Sequence, residues 1–233
     1  MLSAYQRTLS NAVFKVEPGK KYTISGEFRA VGVKTRQPFF FGFMPLDVNG
    51  KRIETHYYRK LNGFEMTSLA APAAAGAKEI ILKKAATWQA LKPGQTYLVA
   101  LNAADDDSDI PNSNIVMGTI LNSGDKSIVK LNRPLAKALE ANSKVRLHTY
   151  GASFIYAANG NLTDNWQKFS GTVQFDTGAV RWAPGTVQAK IVILPAGRGG
   201  AMEFRNISIT EENGDLAILR DGEVNMARQS AVI

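Results

Sequence analysis

The chain has 233 residues, 45% of them hydrophobic, and no cysteine, so it can bury a core but can form neither a disulfide framework nor a thiolate metal site. Its net charge of +8 is uneven: residues 1–66 hold 11 Lys/Arg against 5 Asp/Glu, residues 67–150 hold 10 against 7, and residues 151–233 hold 7 against 8. A basic first third attracts anionic partners, and no apolar run approaches the roughly 18 residues of a membrane-spanning helix.

Met1 to Arg7 lacks the basic start, apolar stretch and small-residue cleavage site of a signal peptide. Val13-Phe14-Lys15-Val16 is a short β-type run ending in a Pro18-Gly19 turn. Tyr22 to Phe28 then alternates. Tyr22, Ile24, Gly26 and Phe28 fall on one face, and Thr23, Ser25, Glu27 and Arg29 on the other, as in a half-buried strand. Phe39-Phe40-Phe41-Gly42-Phe43-Met44 is continuously apolar and suits a strand buried on both faces. Asn49-Gly50 predicts a hairpin, because both residues tolerate positive φ, with a return strand from Arg52 to Arg59.

The character changes near residue 67. Leu69 to Ala77 is Ala-rich but interrupted by Pro72 and Gly76, which argues for a linker over a helix. Short strands are expected at 79–82, 97–101, 114–117, 127–131 and 144–148, and Leu135 to Leu139 has room for one or two helical turns. The last third returns to the first style, with strands at Trp166–Phe175, Val187–Leu194 and Glu203–Ile209. Leu216 to Leu219 is one more strand, within a C-terminal tail (216–233) that ends loosely or pairs with a neighbouring chain. Many short strands between turn signals predict an all-β fold, an antiparallel jelly-roll β-sandwich. The sandwich is expected to be discontinuous, 1–66 with 151–215, and interrupted by an inserted small β-rich subdomain at 67–150.

Three landmarks point to a family. Val16-Glu17-Pro18-Gly19-Lys20-Lys21-Tyr22-Thr23-Ile24-Ser25-Gly26 resembles the opening of galactose-binding-like jelly rolls of the carbohydrate-binding-module group. Trp166-Gln167-Lys168-Phe169-Ser170-Gly171-Thr172 resembles their late tryptophan-led strand, and Met202 to Ile209 their closing strand. Similar modules occur in glycan-active enzymes and in phage tail fibres and tailspikes. The resemblance implies a non-catalytic module that binds a polysaccharide or cell-surface glycan, outside the cell or on a virion. The other reading is a structural or oligomerisation domain of a tail fibre, with a trimer as its assembly. The resemblance also implies a core position for Trp166 and a structural calcium; no other cofactor is expected.

A sugar presents a C–H face and a rim of hydroxyls, which proteins meet with flat aromatics and planar polar side chains. The candidates are His56, Tyr57, Tyr58 and Arg59 on one strand, Trp88, and Arg181-Trp182 beside the Pro184-Gly185 turn. Arg and Lys would favour acidic sugars. Asp105, Asp106, Asp107 and Asp109 crowd four carboxylates into five residues, the chemistry a hard cation such as calcium takes, although EF-hand spacing is absent. The two histidines, His56 and His148, stand outside any HExxH, and no nucleophile elbow or Walker loop is present. Glu27, Glu54 and Glu203 are strand carboxylates that could be tested as a glycosidase pair. Basic and aromatic residues also serve single-stranded nucleic acid, but no RNP pattern or basic helix accompanies them.

Overall fold

The computed structural model describes residues 7–32, 36–175, 180–196 and 201–211, with the backbone of strands at 217–219 and 226–229. It is built almost wholly from strands, and among the described residues the only helical turns are two short 3-10 segments. The chain divides into two units, Met1–Ile53 with Ser153–Ile233, and Glu54–Ala152. In chain order the first four strands are β1 (Arg7–Ser10), β2 (Phe14–Lys15), β3 (Tyr22–Val31) and β4 (Gln37–Leu46). The inserted unit holds β5 (Thr67–Ser68), β6 (Glu79–Lys83), β7 (Thr96–Leu101), β8 (Ile115–Ser123), β9 (Lys126–Leu131) and β10 (Lys144–His148). The chain returns as β11 (Ile155–Leu162), β12 (Gln167–Val173), β13 (Gln188–Pro195), β14 (Ala201–Glu211), β15 (Ala217–Leu219) and β16 (Met226–Gln229).

The discontinuous unit is an antiparallel sandwich. One sheet runs β11-β4-β13-β1-β16 with β2 also on β13, and the other runs β12-β3-β14-β15. The alternation read in β3 is obeyed: Tyr22, Ile24 and Phe28 are at most 1% exposed, as are Phe39, Phe41 and Phe43 of β4. The Phe28 ring lies 4.8 Å from both Phe39 and Phe41. Each such ring contributes about 1.5–3 kcal/mol by leaving water. β4 is not buried equally on both faces, since Phe40 and Met44 are only half-buried. Its Gly42 is required by a bulge in β11 between Tyr156 and Ala158, because a Cβ there would strike the Ile155 carbonyl. The tail adds two strands to the chain's own sheets, β15 beside β14 and β16 beside β1.

The Asn49-Gly50 turn forms, with Gly50 at φ 73°. The Asp47 carboxylate accepts the amides of Asn49 and Lys51 at 2.9 and 2.8 Å. The expected return strand does not form. It ends at a single bridge, Leu46 with Arg52, and Thr55–Tyr57 coils into a 3-10 turn. Residues 54–66 belong to the inserted unit, so the boundaries lie at 53/54 and 152/153. The cause is tertiary pairing: Leu61 donates to the Leu147 carbonyl and Thr149 to that of Arg59, both at 2.9 Å, and Leu61 and Phe64 pack on the inserted core.

The inserted sheet runs β5-β10-β7-β8-β9-β6. A bridge between Leu69 and Leu82 and a 2.8 Å bond from Ala70 to the Ile81 carbonyl join its two ends, closing a six-stranded barrel. Leu82, Val99, Val129 and Val145 are fully buried in its core. The Ala-rich stretch and Leu135–Leu139 are not helical; Ala73 and Leu139 pair through two bonds of 2.9 and 2.8 Å. Trp88, on the 3-10 turn Thr87–Ala90, is 0% exposed within the same core, and its indole N–H donates to the Glu65 carbonyl at 2.9 Å. Trp88→Ala is therefore expected to destabilise the inserted unit by about 3–5 kcal/mol. Urea denaturation followed by circular dichroism measures this, and a loss under about 1 kcal/mol contradicts the core role.

Candidate functional site

Two of the expected ligand residues are structural. Trp88 belongs to the barrel core, and Trp182 is 4% exposed, packed 4.9 Å from Phe43 and 5.9 Å from Tyr22. The Trp182 indole N–H meets no acceptor among the described residues. Both are corrected from open rings to core rings: each closes its unit's apolar interior, a demand that a residue's place in a strand or turn does not reveal. Arg181 is exposed beside Trp182, bridged through its backbone to Gln174.

His56, Tyr57, Tyr58 and Arg59 do not alternate across a sheet; the 3-10 turn fans them out instead. His56 and Tyr57 meet edge to face with ring centres 4.6 Å apart, and His56 lies 5.9 Å from Tyr150, which the sequence reading missed. Tyr150 is 57% exposed, and its hydroxyl donates to the Met117 sulfur at 3.4 Å. Tyr58 is half-buried and takes no part in this ring cluster among the described residues. The support beneath is tight. The Thr55 hydroxyl donates to the Ala152 carbonyl, and Asn112 donates to the Tyr57 carbonyl at 2.7 Å. A Cβ at Gly151 would collide with the Thr55 methyl and lie 3.1 Å from an Arg59 guanidinium nitrogen, so the arginine is held against the backbone next to Tyr150.

Each carboxylate of the acidic run has partners within the chain. Asp105 pairs with Lys144, and Asp106 accepts the Ser108 amide at 3.1 Å. Asp107 bridges Lys60 at 2.5 Å and Arg146 at 2.7 Å, and Asp109 takes Arg146 at 2.8 Å. Among the described residues no group of three or more His, Cys, Asp or Glu side chains is placed to hold a metal ion. The organising residue is Arg146, only 4% exposed at its side chain, which needs the loop's carboxylates because an unpaired buried guanidinium is prohibitively costly. Its Nε donates to His148 Nε2 at 3.2 Å, while His148 Nδ1 lies 2.7 Å from the His56 carbonyl. A guanidinium only donates and a carbonyl only accepts, so His148 is the neutral Nδ1–H tautomer.

On the four-stranded sheet, Trp166 is not in the core. It is half-buried, with the guanidinium carbon of Arg205 at 4.1 Å and that of Arg29 at 4.8 Å from its ring centre. Arg205 pairs with Glu27 and Arg29 with Glu203, each Nε–carboxylate contact at 2.7 Å. Its position follows parity: residue 166 shares the outward face with 168, 170 and 172 of β12, where the alternating burial was legible. The bond from Arg205 holds the Glu27 carboxyl below its ordinary range. A glycosidase acid needs the opposite shift.

The chain matches no family model, no curated protein and no solved structure.

The buried cluster sets a pH response. Burial lowers the His148 pKa from 6.5, with the Arg146 charge acting the same way against the His56 carbonyl. Desolvation raises that of Asp109, but hydrogen bonds from Asn112 and the Ala104 amide, with Arg146, outweigh it and bring it below 3.8. Both folded values are depressed, so the stability they contribute is complete above the unfolded values and is lost as pH falls through the folded ones. Thermal melts are expected to decline first below about pH 6.5 and again below about pH 4. Asp109→Asn should shrink the second decline while lowering stability at neutral pH; an unchanged profile contradicts the assignment.

Proposed function

We propose that this chain is a non-catalytic carbohydrate-binding module whose ligand is an acidic polysaccharide or cell-surface glycan. The observation that carries this reading is Tyr150, 57% exposed, with its ring 5.9 Å from His56, which is itself edge-on to Tyr57, its hydroxyl on the Met117 sulfur, and the exposed Arg59 guanidinium beside the neighbouring Gly151. An aromatic ring held still in solvent stacks on the C–H face of a sugar without first losing rotamer freedom. The guanidinium beside it offers paired donors to a uronate or sulfate on the same ring. The +8 net charge supports attraction of such polymers. The resemblance of residues 16–26, 166–172 and 202–209 to galactose-binding-like jelly rolls supports the same class. Binding without hydrolysis is supported by Glu27 and Glu203, whose carboxylates are engaged by arginines on an open sheet face.

A glycan array followed by affinity electrophoresis tests the reading. Tyr57→Ala combined with Tyr150→Ala is expected to weaken binding about tenfold or more, from about 0.5–1.5 kcal/mol per ring, at unchanged melting temperature. Arg59→Ala should act on acidic glycans alone, and their binding should weaken as salt rises. Full affinity in the double variant overturns the site, and an array with no bound glycan overturns the function.

A further inference from the structure

We infer a second glycan subsite on the outer face of the four-stranded sheet, centred on Trp166 and suited to a segment of an acidic polysaccharide chain. It takes its ligand class from the function proposed above but stands on different residues in a different unit.

The face is ordered by register. Lys168, Glu27 and Arg205 lie side by side across β12, β3 and β14; Ser170, Ser25 and Ser208 form the next rung, and Thr172, Thr23 and Thr210 the one after. Arg29 and Glu203 pair on the other side of the charged rung, next to Trp166. At about 6.7 Å for every second residue and about 4.8 Å between strands, the face measures about 20 Å by 10 Å, room for several sugar rings. One end carries the indole with planar guanidinium and carboxylate groups around it; the other carries two rows of hydroxyls. With the Arg205 and Arg29 guanidinium groups over the indole, what the face offers a saccharide is that planar guanidinium–indole stack plus fixed donors and acceptors, with almost no apolar area for a protein partner.

The groups are already ordered. Both arginines are locked by their glutamates, Thr23 bonds Thr172 at 2.8 Å, and Ser25 bonds Ser208 at 2.9 Å. Little entropy remains to be lost when a ligand arrives. The charge is biased as well. Arg29, Arg205 and Lys168 outnumber Glu27 and Glu203 by three to two, and Lys168 is exposed. A uronate or sulfate complements that excess.

The burial of the other two tryptophans supplies the test. Of the three, Trp88 and Trp182 are 0% and 4% exposed, so a ligand-induced change in emission reports Trp166. The whole chain is titrated with polygalacturonate and hyaluronan, with dextran as the neutral control, while gel retention on the same polymers reports total binding. The expected result is a saturating change in emission with the acidic polymers. It should persist in the Tyr57→Ala/Tyr150→Ala variant and weaken about tenfold in Lys168→Glu. Trp166→Phe, which keeps a ring in place, should retain its melting temperature and part of the gel retention, and Trp166→Ala should lose more. Retention without any change in emission overturns the subsite and leaves the Tyr150 site standing. A change that vanishes in the double variant assigns the polymer to Tyr150 and also overturns it. A change that persists although the double variant binds as tightly as the wild type supports the subsite and sinks the Tyr150 site. No retention of either acidic polymer overturns both.

Discussion

The sandwich depends on one interlock, the insertion of Phe28 between Phe39 and Phe41. β3 and β4 are both interior strands, each flanked by two neighbours, and their rings join the two sheets. Because β3 must turn Tyr22, Ile24 and Phe28 inward, period two forces Thr23, Ser25, Glu27 and Arg29 outward. The polar face is thus the other half of the same constraint. A slip of one residue would bury two charges and expose the aromatic set, so the core fixes the geometry of everything on the outer surface.

Legibility in the sequence followed this logic closely. Strands with clean alternation or bounded by Pro-Gly turns were readable, as with β3, β13 and β14. β11 was not, because Ala157 to Asn161 carries neither alternation nor β-branched residues and the strand contains a bulge. The segment Arg52 to Arg59 misled for a different reason. Its Thr, His and Tyr residues favour strands, but the backbone partners that decide the matter, near Leu147 and Thr149, lie about ninety residues away.

Candidate ligand rings were the hardest to read. Tryptophan type says nothing about exposure: Trp88 and Trp182 complete cores, while Trp166, expected inside, is on the surface with two arginines over it. The acidic run was similarly ambiguous. Four carboxylates in five residues suit a cation of any origin, and here the cations are side chains, chief among them Arg146 on the facing strand. That partner becomes visible only once β10 is paired with β7. His56, Tyr57 and Arg59 were candidates by residue type, and Tyr150 comes near His56 only through the closure of the inserted chain at Thr55 and Ala152.

The placement of the insertion also dictates an order of assembly. β3 and β4 have as their ladder partners β12 and β14, and β11 and β13, all of which follow residue 152. The barrel draws its strands from one uninterrupted stretch, 54–152. As the polypeptide leaves the ribosome, the barrel can therefore close while the aromatic strands before it still wait for neighbours. During that interval the strand that carries Phe39, Phe41 and Phe43 lacks both of its ladder partners. The insertion is thus a timing element, for it sets how long the aromatic strand β4 waits in water for its neighbours.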